Sequence, residues 1–217
     1  MQDMLNRRFR RVLAPAAVAL VSLASTSCGD VVRSGRSPVF LTIDLLQGQR
    51  GAASPGPAAG TLTSDVITNV RSPAPCTTQA PCPTVFSDGG LVTLRTELKN
   101  IGSPEAPTAA TSNNDVTITR YRVRYRRADG RNLEGVDVPY GFDGGLTGTV
   151  RVGATLQLGF ELVRVIAKQE TPLIQLRTSP SFIASICDVS FFGEDRVGNE
   201  INVTGSILIE FGDFGDF

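Results

Sequence analysis

Residues 183–211 read IASICDVSFFGEDRVGNEINVTGSILIEF, and the fold is decided there. Ile183, Cys187, Val189 and Phe191 alternate along one strand. Ile201, Val203, Ile207, Ile209 and Phe211 repeat the pattern. Successive side chains of a strand point to opposite faces, so each run has one face to bury. The eight residues between them, GEDRVGNE, have the composition of a turn. The stretch is a β-hairpin laid on a core. Cys187 falls on its apolar face and reads as a buried free thiol acting as a small hydrophobe; a disulfide to Cys28 is the other reading.

The same period recurs upstream. In residues 117–127, Tyr121, Val123 and Tyr125 point one way and Arg120, Arg122, Arg124 and Arg126 the other. Asp129-Gly130 follows as a hairpin turn. A return strand is expected to begin at Val136 and Val138, with a further turn at 142–145. Leu146, Val150, Val152, Leu156, Leu158, Phe160 and Leu162 hold even positions around Gly153, giving two strands or one bent strand. Residues 163–176 fit either more strand or a helical turn ended before Pro172. Nearer the N-terminus, Val92, Leu94 and Leu98 share a strand face, as do Val39, Leu41 and Ile43. A short strand is expected around Val66 and Ile67.

Strands joined by turns, with no strong helix, predict an all-β fold: an antiparallel β-sandwich of about seven to nine strands. The segment Tyr121-Arg122-Val123-Arg124-Tyr125 and the hairpin through Gly198-Asn199 resemble those of Ig-like and fibronectin-III-like modules in bacterial surface proteins. The resemblance spans about residues 87–217 and implies an Ig-like sandwich. One domain is expected over 38–217. It carries a mobile loop at about 47–60, where GAASPGPAAG cannot bury a core, and a cysteine-bearing loop at 72–83.

The chain opens with a different grammar. Arg7, Arg8, Arg10 and Arg11 precede an apolar run from Val12 to Ala24, too short to span a bilayer as a helix. Basic patch, short apolar run and small residues describe a secretory signal peptide over 1–27. Leu23-Ala24-Ser25-Thr26-Ser27-Cys28 resembles the lipobox of bacterial lipoproteins, with Ser25 departing from its usual leucine. The resemblance implies lipidation of Cys28, which would become the mature N-terminus, and a membrane anchor of acyl chains such as palmitate. Each buried CH₂ contributes about 0.8 kcal/mol to such an anchor. Residues 28–37 read as the tether. The expected location is the bacterial cell envelope, at its periplasmic or cell-surface face.

Composition narrows the chemistry. The whole chain balances 21 basic against 21 acidic residues, and without 1–27 it keeps 17 and 20. A basic footprint for nucleic acid is missing. The absence of histidine removes His-based triads, the common general base and His metal sites. Of the four cysteines, Cys76 and Cys82 flank a short Pro-bearing loop and are expected to form a disulfide in an oxidising compartment. Their C-x5-C spacing, with no second pair, fits neither a zinc nor a redox site. No cofactor is expected.

The arginine face of 120–126 is the candidate binding surface, suited to an acidic glycan, lipopolysaccharide phosphates or an acidic envelope protein. The structural alternative is cross-strand pairing, with Asp188 and Glu161 as the outward acids. Asp129, Asn132, Glu134 and Asp137, and Glu194, Asp195, Asn199 and Glu200, are oxygen-rich loops. They fit turn chemistry and match no calcium-loop consensus. No spacing identifies a pair of catalytic carboxylates. The sequence thus favours a non-catalytic envelope lipoprotein, a binding or structural module, over a carbohydrate- or polyanion-binding module using the arginine face. The end, FGDFGDF, reads as an acidic tail whose phenylalanines pack along the sandwich edge or dock a partner.

Overall fold

The computed structural model describes residues 36–215. The signal peptide, Cys28 and most of the tether lie outside the described residues, as does Phe217. The fold is all-β. Eight strands make two main sheets. The first has the order β1-β5-β10, from β1 (Val39–Gln49), β5 (Asp88–Leu98) and β10 (Thr155–Val163). The second has the order β2-β12-β11-β8-β9, from β2 (Thr61–Asp65), β8 (Val116–Arg126), β9 (Phe142–Val150), β11 (Ile183–Asp195) and β12 (Glu200–Gly212). Two small ribbons, β3 (Thr68–Val70) with β4 (Cys82–Thr84) and β6 (Gly102–Ser103) with β7 (Ala106–Pro107), lie outside these sheets.

The hairpin β11–β12 forms, with Cys187 opposite Ile207 and Phe191 opposite Val203, but its strands run into the expected eight-residue turn: Gly193 pairs with Ile201 and Glu194 with Glu200, leaving 196–199 as the turn. Its turn is closed by Asp195, whose carboxylate accepts from the backbone N–H of Val197 and Asn199 and from the Asn199 side chain. Cys187 is fully buried and free, and burial raises its thiol pKa far above the ordinary value. It therefore stays a protonated, inert core side chain.

The two sheets touch through named contacts. The Phe160 ring of β10 meets Tyr121 of β8 and Phe191 of β11 edge-on, at 5.1 and 5.3 Å between centroids. The Tyr125 hydroxyl donates to the Leu162 carbonyl at 2.7 Å, and the Tyr121 hydroxyl accepts from the Glu161 N–H at 3.3 Å. Aromatic residues carry their polar tips into the core only where partners exist, and here the partner is the opposite sheet. Val39, Val92, Leu94, Val123, Val189 and Ile209 fill the space between, all fully buried.

Several local expectations need correction. Val66 and Ile67 lie in the bend between β2 and β3, not at a strand centre. β2 runs parallel to β12, pairing Thr61 with Leu208 and Asp65 with Gly212, whereas the other pairings between named strands are antiparallel. The loop at 47–60 begins inside β1, and it is tied back: Gly48 and Ala59 exchange backbone hydrogen bonds of 2.8 and 2.9 Å, and Gln49 Nε2 donates to the Gly56 carbonyl at 2.7 Å.

The return strand begins at Phe142, not at Val136. Residues expected to turn, Gly144 and Gly145, are inside β9. Gly144 is there because the Tyr121 ring lies against its backbone, so that a Cβ would overlap the ring. Glycine in this place serves close approach, not a turn. Gly153, at φ +76°, makes the turn between β9 and β10. The ambiguous segment becomes a short helix, α1 (Val165–Gln169), followed by a 3-10 turn at Leu173–Thr178. Among the described residues no helix is long and apolar enough to cross a membrane.

Candidate functional site

β8 places its arginines as alternation requires. Tyr121, Val123 and Tyr125 are buried, while Arg120, Arg124 and Arg126 are exposed and Arg122 half-buried. β8 is flanked by β9 and β11, and these neighbours set what the arginines meet. Arg122 lies opposite Asp143 and binds it in a fork: Nε to Oδ1 at 2.7 Å and Nη2 to Oδ2 at 2.9 Å. Arg126 reaches diagonally to Asp188, with Nε at 2.6 Å from Oδ2. Asp188 also accepts from the Ser206 hydroxyl at 2.5 Å.

The guanidinium of Arg120 stacks over the Phe192 ring at 3.8 Å and stands 3.8 Å from Asp143. Such a stack uses the attraction of a cation for the ring face. Arg124 makes no ion pair among the described residues; it lies against the backbone of Gly141. The Arg122 hydrogen bond holds the Asp143 carboxyl below its ordinary pKa. Partial burial works to raise that of Asp188, but the bonds from Arg126 and Ser206 outweigh it and the net direction is down.

Of the two expected acids, Asp188 pairs with the stripe and Glu161 does not; Glu161 faces Arg164 at 3.7 Å. Asp143 was missed, because Phe142-Asp143-Gly144-Gly145 has the composition of a turn. Beside Arg120, a shallow hollow is lined by Thr119, Phe192, Glu194, Glu200 and Asn202.

Asp129, Glu134, Asp137 and Asp195 of the oxygen-rich loops spend their oxygens internally. Asp129 is gripped by Arg127 and Arg131, each at 2.8 Å, which drives its pKa far below the carboxylate range. Asp137 accepts from the Leu133 N–H, and Glu134 from the Gly141 N–H. Among the described residues, no three His, Cys, Asp or Glu side chains gather as metal ligands. Cys76 and Cys82 are disulfide-bonded, closing the β3–β4 ribbon, whose tip is held by Thr77 and Ala80.

A second cluster was not read from the sequence at all. Lys168 of α1 and Asp88, the first residue of β5, are both fully buried, with Nζ 2.8 Å from Oδ2. Ser64 of β2 donates its hydroxyl to the same oxygen at 2.5 Å, and the Gly51 N–H donates to Oδ1 at 2.8 Å. Next to it, buried Asp65 accepts from Arg50 at 2.8 Å, from Thr68 at 2.8 Å and from the Phe214 N–H at 3.1 Å. The C-terminal tail is thereby drawn onto the sheet edge, and Arg50 also bonds the Gly215 carbonyl. The only sequence signal was the rarity of lysine, which occurs at Lys99 and Lys168 alone.

No family model matches the chain, and no curated protein or solved structure is significantly similar to it.

Proposed function

We propose that the chain is a non-catalytic lipoprotein of the bacterial envelope: an Ig-like β-sandwich, held to the membrane through lipid on Cys28, serving as a binding or structural module. The observation that carries this reading is the Cys76–Cys82 disulfide on an all-β domain. Such bonds persist in oxidising, exported compartments, and the leader provides the route there. The pairing of Arg122 and Arg126 with strand neighbours supports a structural role for much of the arginine face. The test is mass analysis of the chain recovered from membranes, beside a Cys28→Ala variant. An acylated chain starting at Cys28, converted by the variant to a soluble one, is the expected result. An unacylated soluble wild-type chain overturns the anchor.

Arg124 favours a second reading, a polyanion-binding face. It is exposed and has no ion-pair partner among the described residues, with the Arg120 stack four residues away on the same face. Arg124→Gln removes the charge without breaking an ion pair and without setting a carboxylate opposite Asp188. If heparin retention falls while the thermal midpoint holds, the face binds polyanions. Unchanged retention leaves the stripe structural. Arg122→Glu is the control, because it sets like charges side by side with Asp143 and is expected to lower the midpoint.

A further inference from the structure

The Asp88–Lys168 contact brings the two halves of an amide together. Nζ has the Asp88 carboxyl as its one ion-pair partner among the described residues, with Asp65 and Arg50 acting on it from farther off. An ammonium has three donors to satisfy, and burying a charge is costly even when it is paired. Moving one proton from nitrogen to oxygen removes both charges. Burial acts in that direction on both groups, lowering the Lys168 pKa and raising that of Asp88 against their mutual attraction. What remains is a neutral amine, which is a nucleophile, against a neutral carboxylic acid. Arginine, always protonated, would offer no such nucleophile. The chain uses arginine almost everywhere else and sets lysine here.

The carboxyl is also held for attack. Oδ1 accepts from the Gly51 N–H and Oδ2 from the Ser64 hydroxyl, which fixes its plane and polarises it. Fixed neighbours of this kind can reach effective concentrations on the order of 10⁵–10⁸ M.

We propose that Lys168 and Asp88 join in an intramolecular isopeptide cross-link between α1 and the start of β5. The Nζ lone pair attacks Cγ and a C–N bond forms. The Cγ–Oδ2 bond breaks, and Oδ2 leaves with its own proton and one from Nζ as a single water. Oδ1 stays as the amide carbonyl, still accepting from the Gly51 N–H. No oxidant or cofactor enters the balance. The cross-link is independent of the anchor and of any ligand.

The test is peptide mapping of the full-length protein after folding, then denaturation, reduction and digestion with trypsin. The expected product is segment 72–95 joined to segment 165–177, lighter than their sum by one water, with uncut Lys168 inside it. In Lys168→Arg, segment 72–95 must appear free, with 165–168 and 169–177 as separate pieces cut after the new arginine. Recovery of unlinked 72–95 in full yield from the wild type, together with 165–168 and 169–177 from cleavage after Lys168, overturns the proposal. Because the decisive reading is on the wild-type chain, a variant that fails to fold does not weaken it.

Discussion

Single side chains hold the two sheets together. Leu162 sits at the irregularity where β10 slips against β5 and has no residue opposite it there. The Tyr125 hydroxyl donates to its carbonyl at 2.7 Å from the opposite sheet. Tyr125→Phe keeps the ring and strands a buried carbonyl, so it is expected to cost about 1–3 kcal/mol, read as a fall in the urea midpoint at unchanged slope. A midpoint equal to wild type would mean the carbonyl finds water instead. Gly144 is the complementary case. Gly144→Ala pushes a methyl group into the Tyr121 ring and is expected to destabilise by about 1–3 kcal/mol. Gly145→Ala, one residue on, meets nothing and serves as the reference.

Elements differ in how much of their role lies within them. The arginines of β8 are set on one face by strand period alone, yet their partners come from β9 and β11. A run of arginines therefore reads as a charged face in the sequence and as a half-zipped ladder in the fold. The β3–β4 ribbon is the reverse: two three-residue strands with few buried side chains. Its disulfide links residues six apart, so its entropic effect belongs to the low end of the range, about 2 kcal/mol. Replacing Cys76 and Cys82 by Ser together is expected to speed amide exchange at Thr68–Val70 while leaving β11 and β12 protected. Loss of protection in β11 would mean that the ribbon props up the core.

Across the whole molecule, acid is the informative perturbant. Asp129, Asp143, Asp188 and Asp195 all have pKa values below ordinary in the folded chain. Groups of that kind stabilise the fold above the unfolded value, about 3.9, and the contribution is lost as pH falls through the folded one. Stability is expected to be level from pH 7 to about 5 and to decline below about 4, seen as a falling urea midpoint. Asp88, with its raised pKa, opposes this trend if it titrates; in a cross-linked chain it does not titrate at all. A midpoint that stays level to pH 2.5, on the order of the lowest carboxylate values, would show that these pairs add nothing to stability.

The sequence by itself determined the all-β class, the hairpin within residues 183–211 with Cys187 on its buried face, the outward set of β8 arginines and the Cys76–Cys82 bond. Each rests on alternation or on neighbours close in the chain, where geometry is local. Only the tertiary structure decided that β2 lies parallel to β12, that Asp143 sits in a strand beside Arg122, and that Asp88, Ser64 and Lys168 meet in the core. Strand pairing order and buried polar contacts join residues distant in sequence. They are chosen by which surfaces fit once the sheets pack, and no local pattern encodes that choice. Glycine at 144 marks the limit: the chain writes the same letter for a turn and for room beneath a tyrosine ring.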